Sequence, residues 1–85
     1  MTKEFQKIYK YTAIYEPAEN GGYVVSVPAL PGCVTQGENF EDARKMAEDA
    51  IKGCIAVLKE DGDEVPIEPE GVVISEVKIA NQRFI

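Results

Sequence analysis

Histidine and tryptophan are both absent from the 85 residues. Without histidine the chain lacks the commonest general base and the commonest zinc ligand. Cysteine is scarce too, with only Cys33 and Cys54. Two thiols are too few for a cysteine-only zinc site, and they allow one disulfide at most. Cys33 sits at a chain corner and Cys54 on an apolar helical face, with no secretory feature nearby, so two buried, reduced, structural thiols are expected. No apolar run reaches the ~20 residues that cross a bilayer. The first residues, MTKEFQKIYK, have neither the apolar core nor the small-residue cleavage site of a signal peptide. A cytoplasmic protein with no membrane partner is expected. Cations are few: nine Lys and Arg against fifteen Asp and Glu, for a net charge of −6. Binding nucleic acid requires Lys and Arg to neutralise phosphates, so no direct nucleic-acid partner is expected. A basic protein partner fits this charge, as does plain solubility.

What is present reads as one small domain, residues 1–85. A chain of this length buries a modest share of its surface and gains from a disulfide, a metal or self-association. With the first two disfavoured, a homodimer or higher oligomer is expected. Residues 8–16, IYKYTAIYE, are β-branched and aromatic, with Tyr9, Tyr11, Ala13 and Tyr15 on one face of a first strand. Residues 16–22, EPAENGG, form a turn. Residues 23–27, YVVSV, give a second strand with Tyr23, Val25 and Val27 on one face. Pro28 and Pro31 then fix φ and remove donors, making a rigid corner that also contains Leu30, Gly32 and Cys33. Residues 33–36 give a short third strand.

Asn39 is a good N-cap, followed by Glu41 and Asp42 in the first turn of a helix. Phe40, Ala43, Ala47, Ala50, Ile51, Cys54 and Leu58 share one helical face, with Ile55 at its margin. Gly62 is the stop. Gly53 lies inside this helix beside Met46, Ala50 and Val57. Close packing on the chain's own sheet is the default reading, and contact with another chain is the sharper one. Residues 63–71, DEVPIEPEG, form an acidic linker. Residues 72–79, VVISEVKI, read as a last strand with Val73, Val77 and Ile79 on one face. The order β-β-β-α-β and a right-handed crossover predict an α+β fold: a mixed four-stranded sheet of order 3-2-1-4 with one long helix on one face. The opposite face is then left open, which marks a partner site.

Chemistry is hard to find. Cys33 has no base or cation near it in sequence to activate it. The acids lie on the exposed helix face, in turns and in the linker, and the first two strands contribute only Glu16. No phosphate-binding loop is present. The chain is read as a binding protein with no catalytic residues, no metal site and no cofactor.

The series GGYVVSVPALPGCVTQGENFEDA, the alanine-rich helix after it and the EDGDEVPIE ending resemble the HicB-like antitoxin family. That family's pattern is met by Gly22, Tyr23, Val25, Pro28, Leu30, Pro31, Gly32, Cys33, Thr35, Gly37, Glu41 and Ala43. Asn39 stands where Ser or Thr is usual, and Asp42 replaces a Glu. The resemblance runs from about Tyr11 to Pro69. It implies a partial RNase H-like fold without nuclease chemistry. It also implies a partner: a HicA-type toxin, a small basic mRNA-cleaving protein that the antitoxin binds and blocks. Full-length members usually add a C-terminal DNA-binding domain, which is not expected here. A solitary, self-associating regulatory or scaffold domain is the alternative. The motif residues Gly22, Tyr23, Pro28, Leu30, Pro31, Gly32, Cys33, Thr35 and Gly37 are read as scaffold.

Overall fold

A computed structural model describes residues 8–81. Three strands, β1 (Ile14–Pro17), β2 (Tyr23–Ser26) and β3 (Val34–Gly37), precede one helix, α1 (Phe40–Glu60). The strands form an antiparallel sheet of order β1-β2-β3. Tyr15 lies opposite Val25, and Val25 opposite Thr35, which sets the register. The first turn closes through Ala18 N–H donating to the Gly22 carbonyl at 2.7 Å, with Gly21 at φ 95°. The fold is α+β, as the sequence predicts.

The helix forms where its signals place it. The Asn39 side chain accepts from Asp42 N–H at 2.8 Å, and the Asp42 carboxylate accepts from Glu38 N–H at 2.9 Å. Two donors at the helix start are thereby satisfied reciprocally. At the other end Gly62 N–H bonds the Lys59 carbonyl and Asp63 N–H bonds that of Leu58. This is a Schellman ending, with Gly62 at φ 74°.

The core has two clusters. Val25, Ala43 and Ala47 pack together, with Ala13, Tyr15 and Tyr23 around them. Val27, Leu30 and Cys33 form the second, against Tyr11, Ala13, Ala50, Ile51, Cys54 and Leu58. Small residues bring the first turn of α1 close to the sheet. A Cβ on Gly37 would strike the backbone of Ala43, and one on Gly22 would strike the Gly37 carbonyl. Phe40 is half exposed, yet its ring lies 4.8 Å from that of Tyr15 and 6.1 Å from that of Tyr23.

Two expectations need correction. Among the described residues the fourth strand does not form: residues 72–79 pair with no described strand and are all exposed, so the described sheet is three-stranded and wholly antiparallel rather than mixed with order 3-2-1-4. The physical reason lies in the linker. Thr12 N–H and Oγ1 donate to the two Glu68 carboxylate oxygens at 2.8 and 2.7 Å, and Tyr11 OH donates to the Pro66 carbonyl at 2.6 Å. The linker is thus held beside residues 11–12, and after Gly71, at φ 81°, the chain runs on into solvent. The first strand is also shorter than residues 8–16, although Tyr9, Tyr11, Ala13 and Tyr15 remain half buried while Ile8 and Lys10 are exposed.

Candidate partner-binding surfaces

The corner is built from three buried residues spaced three apart. Leu30 N–H donates to the Val27 carbonyl and Cys33 N–H to that of Leu30, both at 2.9 Å. Val27 N–H closes the loop on the Cys33 carbonyl at 3.2 Å. These two successive turns point Val27, Leu30 and Cys33 inward, while Pro28, Pro31 and Gly32 stay on the surface. Gly32 has φ 84°, a backbone state that L side chains rarely adopt. Of the other motif residues, Gly22 is buried, and Tyr23, Thr35 and Gly37 are half buried.

The corner brings the two cysteines together, which their separation in sequence did not reveal. Both are free, and Cys33 is buried while Cys54 is only half buried. Burial first, and then the hydrogen bond to the Cys54 thiol, push the Cys33 thiol up to about 11. A thiol held in its neutral form is a poor nucleophile at neutral pH.

Beside the corner, Leu30, Pro31, Gly53, Val57 and Pro66 line an apolar groove of about 520 Å³. Gly53 is exposed, and a Cβ there would meet open space. Close packing of Gly53 on the chain's own sheet, the default reading of the sequence, is therefore overturned. The stretch leading into Pro66 and past it is acidic: residues 60–70 hold Glu60, Asp61, Asp63, Glu64, Glu68 and Glu70 and no cation. Negative charge at a helix C-terminus opposes the macrodipole, so Glu60, Asp61 and Asp63 do little for the stability of α1.

The uncovered sheet face is mixed. Ile14, Val24 and Val34 alternate there with Glu16, Ser26 and Gln36, opposite the face that Val25 presents to α1. It is less apolar than expected, because three of its six positions are polar. On the other side of the molecule, a cleft of about 680 Å³ runs between α1 and the outer side of residues 9–15. No helix among the described residues is long and apolar enough to cross a membrane.

A glycine-tight sheet, a corner closed by Leu30 and Cys33 and a capped helix form one continuous unit, and comparison with known proteins recovers that unit. The model of the family described as the HicB-like antitoxin of bacterial toxin–antitoxin systems matches residues 11–83. The chain belongs to this family. Antitoxin HicB 1 of Photorhabdus laumondii is 39% identical over 61 residues, covering 72% of this chain and 39% of that protein. Antitoxin HicB of Escherichia coli K12 is 34% identical over 58 residues, 68% of this chain and 42% of the relative. A UPF0150 protein of Thermoplasma acidophilum is 46% identical over 57 residues, covering 67% and 83%. The HicB-like chain thus spans under half of the two relatives called antitoxins and most of the UPF0150 protein. Membership points to an antitoxin role and to a toxin as partner in general.

Proposed function

We propose that this chain is a non-catalytic antitoxin-like module that binds and neutralises a small basic HicA-type mRNA-cleaving toxin. The family match over residues 11–83 carries this reading. The surface supports it: an apolar groove beside Leu30, Gly53 and Val57 adjoins the acidic stretch 60–70, which holds six acids and no cation. Apolar contact supplies affinity there, and the acids steer a basic partner and set its orientation. The motif residues from Gly22 to Gly37 act as scaffold that shapes this surface. The resemblance supports a partial RNase H-like classification, with residues 1–85 as one cytoplasmic domain that binds no nucleic acid directly.

The test is co-expression with a basic mRNA-cleaving protein encoded beside it. The expected outcome is a complex that survives gel filtration at physiological salt and suppresses RNA cleavage. Loss of the complex with cleavage unchanged would reject the reading. A second reading is a solitary, self-associating domain with a regulatory or scaffold role. It is favoured by the coverage of UPF0150 relatives, 83% in Thermoplasma acidophilum and 96% in Archaeoglobus fulgidus. Under both readings the chain forms a homodimer or higher oligomer.

A further inference from the structure

The chain has two cysteines, and the fold sets them against each other. Cys33 closes the corner and is 3% exposed. Cys54 packs against it from α1, and a hydrogen bond joins the two thiols. Both are free. Adjacent thiols from two separate elements are the arrangement from which a disulfide forms by side-chain movement alone.

The pair has one accessible side. Cys54 is half buried and lines the apolar groove together with Leu30, Gly53 and Val57. Next to it, a Cβ on Gly53 would meet open space, so this wall of the groove faces solvent. The groove holds about 520 Å³, many times the roughly 30 Å³ that a water molecule occupies. A solute as small as hydrogen peroxide therefore reaches Cys54, while Cys33 lies beneath it.

We propose that Cys33 and Cys54 form a modification site, oxidised by a peroxide to a reversible disulfide that staples the corner to α1. Cys54 reacts first, because it is the thiol that the groove exposes. Hydrogen peroxide gives one oxygen to its sulfur, forming a sulfenic acid and releasing one water. The Cys33 sulfur then attacks the Cys54 sulfur. The S–S bond forms, and the hydroxyl leaves with the Cys33 proton as a second water. Two thiols are oxidised, and one peroxide is reduced to two waters. Burial keeps Cys33 neutral and slow toward solutes, but its fixed place beside Cys54 favours the second step. No third cysteine competes for the sulfenic acid. The resting pair is reduced, as the sequence predicts, and an added dithiol restores it by exchange. The disulfide also fixes the spacing of the groove walls, since Cys33 N–H is bonded to the Leu30 carbonyl and Gly53 adjoins Cys54. The site stands independently of the toxin reading.

The test treats the full chain with hydrogen peroxide and then unfolds it in urea with iodoacetamide, which caps every remaining thiol. The expected product is a single chain lighter by two hydrogens, without a cap, whose Cys33 and Cys54 peptides are linked. Dithiothreitol should reverse the change. Closing a loop of about 20 residues should lower the unfolding equilibrium constant in urea about 100-fold relative to the reduced chain. Cys54→Ser, at a half-buried position, should keep the helical circular dichroism of the parent. It should leave Cys33 open to capping once unfolded, with no gain in stability from peroxide. Cys33→Ala should stop at the sulfenic acid, trapped on Cys54 by dimedone. The peptide map and the Cys54→Ser comparison decide the question even where Cys33→Ala weakens the corner. Two thiols that both accept iodoacetamide after peroxide overturn the proposal and leave them as core thiols only. A cross-link between two chains, a sulfinic acid in place of the disulfide, or a disulfide that adds no stability overturns it too.

Discussion

Residues 23–26 and residues 72–79 carry the same alternation of apolar side chains in opposite circumstances. Val25 is wholly buried, while Val73 is 84% exposed. Their intrinsic preference for extended backbone is similar, since Tyr23, Val24 and Val25 in one and Val72, Val73, Ile74, Val77 and Ile79 in the other all favour strands. The difference lies in what reaches them. β2 has a neighbour on each side, supplied by a short turn before it and a seven-residue corner after it. The tail follows a 21-residue helix and a proline-containing linker fastened at Thr12. A strand needs a partner edge, and among the described residues only one of these two segments has one.

The body breaks most severely at its closest approach. Gly37→Ala would drive a Cβ into the Ala43 backbone. Urea unfolding should show a loss of about 3 kcal/mol or more, because backbone cannot yield as a side chain end can. Leu30→Ala comes next. Leu30 is 2% exposed, and truncating it leaves a hole under the corner worth about 2–4 kcal/mol in the same measurement. Asn39→Ala removes the cap that holds Asp42 N–H and should cost about 1 kcal/mol.

The latch between body and tail sharpens the comparison through pH. The hydrogen bonds from Thr12, backbone first and then side chain, hold the Glu68 carboxyl below its usual range. Its contribution is therefore complete above the ordinary glutamate value of about 4.3 and is lost as pH falls through the lowered one. Burial, then Tyr9 and Glu68, raise the Tyr11 hydroxyl. Its bond to Pro66 is intact below the ordinary tyrosine value of about 10 and fails as pH rises through the raised one. Proteolysis within residues 66–70 should accordingly be slowest at intermediate pH. Thr12→Val should speed cleavage at neutral pH and flatten the acid limb. The smallest effect belongs to the tail: Val73→Ser in protein dilute enough to be monomeric should shift unfolding by less than about 0.5 kcal/mol.

Much of the body was legible in local chemistry. Asn39, Asp42 and Gly62 mark the helix ends because capping satisfies donors and acceptors within a few residues. Pro28 and Pro31 mark the corner because their φ is fixed. Contacts between distant residues were not legible. Nothing near Thr12 in sequence announces Glu68, and nothing near Cys33 announces Cys54. The open groove at Gly53 was likewise hidden, because a glycine on a helix reads equally well as a contact with the chain's own sheet or with another chain.

The sequence by itself determined the family, the order of the first four elements, the capped helix and the shortage of catalytic groups. Each of these follows from residue types or from spacing over a few positions. Only the tertiary structure decided that Leu30 and Cys33 plug the core while the prolines beside them stay outside. It alone decided that Glu68 fastens the linker, and that residues 72–79 leave the sheet with three strands. The physical reason is that helix caps and turns satisfy their hydrogen bonds locally. A strand edge and an apolar face are satisfied only by whatever the rest of the chain, or another chain, brings to them.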